Sequence, residues 1–180
     1  MQLIIKKFLI INFFIALLCF QNNLYSNTVG SNIEDFGLIS LMYHRFEENK
    51  YPSTNIKISD FKKHLEIIQK NNIKFINPKN FEEEIKVNKK QRKILLTIDD
   101  GFLSFYENAW PILKEKKIPF ILFVSTREVG SFNYMNWDQI KKISEEDFVE
   151  IGNHSHSHEY LVDESNEIII ADILKSINIF

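Results

Sequence analysis

The sequence predicts an α/β fold built on a parallel sheet or a barrel. Three observations carry that expectation. Short apolar runs recur along the chain, separated by stretches with helical periodicity. Strands joined through helices pair in parallel, because the crossover carries the chain back to the same end of the sheet. Two of the apolar runs end directly in acids or histidines, and folds of this class gather their chemistry at the C-terminal ends of strands.

Residues 37–43 (GLISLMY) read as a first buried strand. Ser59 is placed to cap a helix through about Gln69, with Phe61, Leu65 and Ile68 on one face. Residues 73–76 form a second strand. Asn77-Pro78 then opens a helix, with Pro at the first helical position. Its acids Glu82, Glu83 and Glu84 suit a helix start and read as a solvated face.

Residues 93–98 (KILLTI) form a third strand that runs straight into Asp99-Asp100-Gly101. A helix over 104–117 follows, with Pro111 expected to kink it. Residues 119–125 (PFILFVS) are the fourth strand, and Asn136 caps a short helix containing Trp137 and Ile140. Residues 148–152 are the fifth strand, ending at Asn153-His154-Ser155-His156-Ser157-His158. A last amphipathic helix runs from about Ser165 to the end.

The N-terminus reads as an address. Lys6 and Lys7 precede an apolar run, Phe8 to Phe20, broken only by Asn12, and small Ser26 suits a cleavage point. This is the layout of a secretory signal peptide over residues 1–26, or of an uncleaved anchor, with 27–180 as the functional domain. The expected location is exported, periplasmic or extracellular, with membrane contact only if the segment is retained. Cleavage would also remove Cys19, the only cysteine, which excludes Cys nucleophiles and Cys-based zinc sites from the mature chain.

Composition narrows the class further. Of the 180 residues, 44% are apolar and 26% charged, near the globular average, which excludes disordered and multi-span membrane classes. A net charge of −2 gives no basic field for nucleic acid.

Two stretches carry chemistry. A carboxylate buried at a strand end is costly unless it is paired or binds a metal. Of the adjacent Asp99 and Asp100, one can bind a metal while the other stays free as a base, and Gly101 permits a tight turn. His154 and His158 are four apart, a workable spacing for two imidazoles on one ion, with His156 pointing elsewhere. A His154-x-His156 pair, as in another kind of metallohydrolase, stays open on spacing alone. Asp plus two His with free positions for water describes a hydrolytic site for one divalent metal ion. Zinc is favoured, and cobalt, nickel, manganese or iron suit the same donors. His44 follows the first strand and could line the same mouth. His64 reads as a surface residue, Trp110 and Trp137 as packing residues. Ser104 and Ser125 lack a nearby base, which leaves a serine triad without support.

Together these stretches resemble the polysaccharide deacetylase family, the NodB-homology domain or carbohydrate esterase family four. The resemblance runs from about residue 38 to the end. It rests on LMYHRF at 41–46, YPSTNI at 51–56, LTIDDGFLSFYENAWPIL at 96–113, PFILFVST at 119–126, YMNWDQI at 134–140 and EIGNHSHSH at 150–158. It implies a distorted (β/α) barrel, here truncated after about the fifth strand. It implies hydrolysis of N-acetyl groups on N-acetylglucosamine-containing polysaccharides or oligosaccharides. On that match Asp99 is the catalytic base, Asp100, His154 and His158 hold the metal, and Ser155 supports the loop by hydrogen bonding. Family members carry an Arg segment, an Asp/Trp segment and a late Leu-x-His after the histidine pair, and this sequence reaches Phe180 without them. Two expectations follow: a truncated deacetylase, or a catalytically inactive remnant or glycan-binding module that keeps the metal site.

Overall fold

A computed structural model describes residues 37–86 and 90–180. The reading of residues 1–26 lies outside the described residues. Among them, no helix is long and apolar enough to cross a membrane.

The centre is a parallel sheet. Strand β1 is Leu38–Tyr43, followed by the short β2 (Arg45–Phe46) and β3 (Asn55–Ile56), which pair with each other. Helix α1 (Ile58–Lys70) leads to β4 (Lys74–Phe75). A 3-10 turn (Pro78–Asn80) and α2 (Phe81–Lys86) lead to β5 (Lys93–Ile98). A π turn (Phe105–Ala109) and α3 (Trp110–Lys116) precede β6 (Phe120–Val124). Then come α4 (Trp137–Ser144), β7 (Val149–Asn153) and α5 (Asn166–Ile179). The sheet order is β1-β5-β6-β7, with β4 also on β5, and every pairing is parallel. All five predicted long-range strands are present and lie in this one sheet.

β5 is buried at every position, as expected for a central parallel strand with a continuous apolar run. Phe46, Phe61, Phe105, Phe120 and Leu122 fill the core around it. Aromatic edges meet faces there: Phe46 and Phe61 lie 5.1 Å apart, Phe105 and Phe120 5.5 Å. Trp110 packs on Phe120 and Phe148, as a packing residue should.

Several local expectations are corrected. β1 is only partly buried, with Ile39 and Met42 exposed, because among the described strands it pairs with β5 alone. Ser59 is not the cap of α1. The helix starts two residues earlier than that cap implies, its N-cap Lys57 makes no side-chain bond, and Glu47 Oε1 accepts the Ile58 N–H instead. Glu84 is not simply solvated: it pairs with Lys74 and with the buried Lys93. Pro111 sits at the start of α3, directly after the π turn, where its missing N–H breaks no regular ladder. Asn136 does cap α4, in a reciprocal capping box with Gln139.

α5 departs most from expectation. Ser165 caps it through the Ile168 N–H, but its apolar residues Ile168, Ile170, Leu174 and Ile177 are exposed. The side turned inward carries Asp172 and Ser176 beside Ile169 and Ile173.

Candidate metal centre

Parallel pairing puts the ends of β5, β6 and β7 side by side. Ile98 is registered with Leu122, and Val124 with Asn153. The residues that follow β5 and β7 are therefore two strand spacings apart, roughly 10 Å, and their side chains can meet above the end of β6. The backbone enforces this. Asp99 N–H donates to the Tyr43 carbonyl at 2.9 Å, and His154 N–H to the Val124 carbonyl at 3.0 Å. Each site segment is tied to the neighbouring strand as it leaves the sheet.

The side chains converge. His154 Nε2 lies 3.2 Å from Asp100 Oδ1, and His158 Nε2 lies 2.9 Å from the same oxygen. The two imidazole rings are 5.0 Å apart. One ligand atom each from Asp100, His154 and His158 falls within 4.8 Å of the others. Asp99 is buried beside them, at 7% exposure, as is Asp100. His44 is near enough for its charge to act on both carboxyls. His156 turns away and bonds Thr126 Oγ1 through Nδ1 at 2.9 Å. The structure thus assembles Asp99, Asp100, His154 and His158, with His44 nearby, and leaves His156 out.

The loop geometry is demanding. Asp100, Ser155 and His158 all have positive φ, at 73°, 66° and 58°. L-residues enter that region against a steric cost, so the surroundings must hold them there. Part of the holding is local: Ser155 N–H donates to Asn153 Oδ1 at 2.7 Å, and Ser155 Oγ accepts the His158 N–H at 3.0 Å. A cavity of about 550 Å³ opens on this loop, lined by His154, His158, Tyr160, Leu161 and Ile173 among others.

Electrostatics split the two adjacent acids. Burial is the largest influence on each carboxyl. In Asp99 it prevails, and the pKa is raised despite His154 and His44. In Asp100 it is outweighed by the contact with His154 and the charges of His158 and His44, and the pKa is lowered. His154 is correspondingly raised by its contact with Asp100.

The residues fit a divalent ion. Asp100 Oδ1 is buried and accepts no well-directed hydrogen bond, although two imidazole nitrogens point at it. One carboxylate oxygen and two neutral imidazoles form a borderline donor set that would leave a four-coordinate ion a place for water. Asp99 Oδ1 is also buried without a partner, outside the cluster but adjacent to it.

Sequence reading missed Asp172, Ser176 and Thr126. All three hold the 154–158 loop from outside it: Asp172 Oδ2 and Oδ1 accept the His156 and Ser157 N–H groups, and Ser176 Oγ donates to the Ser155 carbonyl. No local signal marked them: Asp172 and Ser176 read as the polar side of the amphipathic last helix.

The chain is similar to known deacetylases. The poly-beta-1,6-N-acetyl-D-glucosamine N-deacetylase of Staphylococcus aureus is 31% identical over 106 residues, which are 58% of this chain and 37% of that protein. IcaB from Ammonifex degensii is structurally similar, with TM-score 0.62 and 30% identity over 68% of this chain and 54% of that one. The Streptococcus pyogenes deacetylase PplD, solved with acetate, shares the fold at TM-score 0.66 and 21% identity, over 78% and 65% of the two chains. The chain spans well under half the length of the curated relative it matches. The polysaccharide deacetylase model matches residues 86–180, which take in the whole Asp-Asp-Gly and His-Ser-His-Ser-His region. This chain belongs to the polysaccharide deacetylase family.

Proposed function

We propose that this chain belongs to an exported, metal-dependent hydrolase that removes N-acetyl groups from N-acetylglucosamine-containing polysaccharide. One observation carries the reading: Asp100, His154 and His158 converge on one point, with a second carboxylate next door, one of whose oxygens is buried without a partner. The family match and the substrate named for the Staphylococcus aureus relative support the substrate class. Export rests on the signal-like residues 1–26.

Asp100, His154 and His158 would hold the ion, with zinc the favoured metal. A divalent ion there supplies Lewis acidity toward the amide carbonyl and makes water acidic enough to serve as nucleophile near neutral pH. Asp99 accepts the proton of the attacking water. Its burial suits the task, because a raised pKa makes a carboxylate a stronger base. Ser155 keeps the loop folded so that both imidazoles face the same point.

The test is acetate release from a β-1,6-linked N-acetylglucosamine oligomer by the zinc-loaded full chain. Release by the parent that disappears in Asp99→Asn, while zinc binding is retained, is the expected result. Zinc binding by the parent with no acetate released would instead favour a glycan-binding module that keeps the site.

A further inference from the structure

The inward face of α5 is the wrong surface for a helix that only packs. Ile169, Asp172, Ile173 and Ser176 recur at the spacing of a single helix face. They are turned toward the protein, while the neighbouring isoleucines and Leu174 stand in solvent. An acid or hydroxyl withdrawn from water is unfavourable unless it is hydrogen-bonded. Both are bonded, and their partners are the backbone groups of Ser155, His156 and Ser157. Asp172 Oδ2 accepts the His156 N–H at 2.8 Å, and Oδ1 accepts the Ser157 N–H at 2.9 Å. Ser176 is fully buried and donates to the Ser155 carbonyl at 3.1 Å.

The opposite side of the loop is held differently. The Thr126 and Arg127 N–H groups, beyond β6, donate to the Ser155 and His156 carbonyls at 3.2 and 3.0 Å. The β6 side satisfies the Ser155 and His156 carbonyls, and α5 satisfies the His156 and Ser157 amide donors and adds a second donor to the Ser155 carbonyl. The segment between His154 and His158 is therefore gripped from two directions while Ser155 and His158 keep their positive φ. Without the α5 contacts, two half-buried N–H groups lose their acceptors and the loop can relax out of that backbone region.

We propose that Asp172 and Ser176 are positioning residues that hold the 154–158 loop in the shape that brings both imidazoles onto one metal ion. This rests on the reading of Asp100, His154 and His158 as the ligands. Neither residue touches the ion; they act through the backbone that carries His154 and His158. Groups that orient ligands in this way set affinity as strongly as geometry demands.

The experiment is zinc titration of the metal-free full chain by calorimetry, with melting temperatures measured alongside. Asp172→Ala is expected to weaken zinc about 10–100-fold. Asp172→Asn, which keeps one acceptor oxygen, is expected to fall between Ala and the parent. Ser176→Ala weakens zinc less than Asp172→Ala, and Ser176→Thr, which retains the hydroxyl, restores binding. Ser165→Ala is the control: it uncaps α5 about two turns before Asp172 and touches neither loop contact, so it lowers the melting temperature and leaves zinc affinity unchanged. With cobalt in place of zinc, the visible absorption of the Asp172→Ala chain should shift from that of the parent, while the Ser165→Ala spectrum matches it.

Parental zinc affinity in Asp172→Ala would overturn the proposal. A loss in Ser165→Ala equal to that in Asp172→Ala would also overturn it, because α5 would then matter only through its stability. If the parent itself bound no zinc, or Asp100→Asn bound it as the parent does, the ligand reading would fail and this proposal with it. A parent that binds zinc through Asp100 beside an unaffected Asp172→Ala sinks the positioning role alone.

Discussion

Asp100 Oδ1 stands 2.9 Å from His158 Nε2, and both residues hold left-handed backbone, at φ 73° and 58°. The chain accepts two sterically costly conformations to bring a carboxylate and an imidazole from separate strand ends onto one point. Asn tolerates the left-handed region well. Asp100→Asn should therefore leave the fold of the metal-free chain intact, with a melting temperature close to the parent's above neutrality, where the contact with His154 has faded. It replaces an anionic ligand with a neutral one, and zinc affinity measured by competition with a chelator should fall by about 10²-fold or more. Parental affinity in this variant would remove Asp100 from the ligand set.

Asp99 should behave differently from its neighbour. It lies outside the cluster, and burial raises its pKa. Asp99→Asn is expected to bind zinc as the parent does while acetate release falls by about 10²–10⁴-fold, the usual worth of a general base. In the parent, activity should decline toward acid through a carboxyl that titrates above the ordinary Asp range. A rate profile flat down to the ordinary Asp value would argue against Asp99 as that base.

Metal binding and folding should respond to pH in opposite directions. In the metal-free site His154 is raised above 6.5 by its contact with Asp100. A raised folded-state pKa contributes stability that is complete below the unfolded value and is lost as pH rises through the folded one. Asp99, raised by burial, acts in the same sense. Asp100 is depressed below 3.8, so its contribution is present above that value and lost as pH falls through the folded pKa. The metal-free contact therefore supports the fold in mildly acidic solution and fades above neutrality. Zinc requires both imidazoles without their ligand protons. The rise in melting temperature on adding zinc should thus be larger at about pH 8 than at about pH 5.5. Equal rises at both would show that His154 is not a ligand.

The strands and the histidine cluster were legible because their signals are local. β5 is a six-residue, mostly apolar strand that runs into two acids, and β7 runs into three histidines within five residues. Pattern and spacing sufficed for both. What escaped depends on docking. Glu47 caps α1 from eleven residues upstream, and nothing near Ser59 reveals that competitor. Asp172 and Ser176 reach a loop 15 to 21 residues earlier in the chain. In sequence they read as the polar side of an amphipathic helix; only the packed α5 shows that this side faces in. The exposure of Ile39 and Met42 on β1 was hidden for a related reason, since an apolar strand does not state how many neighbours it has.

Gly152 offers a last check on how tightly the strand end governs the site. It is the register partner of Phe123 across β6 and β7, one residue before Asn153 and two before His154. A Cβ there would overlap the Phe123 ring and approach Ile121 Cγ2 to 3.1 Å. The same Phe123 ring lies 6.2 Å from the His154 imidazole. Gly152→Ala must therefore push the ring or the strand, and either movement reaches His154. Overpacking of this kind costs about 1–3 kcal/mol, readable as a lower urea midpoint with an unchanged slope. Zinc affinity should fall with it. Phe123→Leu in the Gly152→Ala background removes the colliding ring edge and should recover part of both losses, because residues in direct contact are not additive. Additive losses in the double variant would place the effect of Gly152 elsewhere than against Phe123.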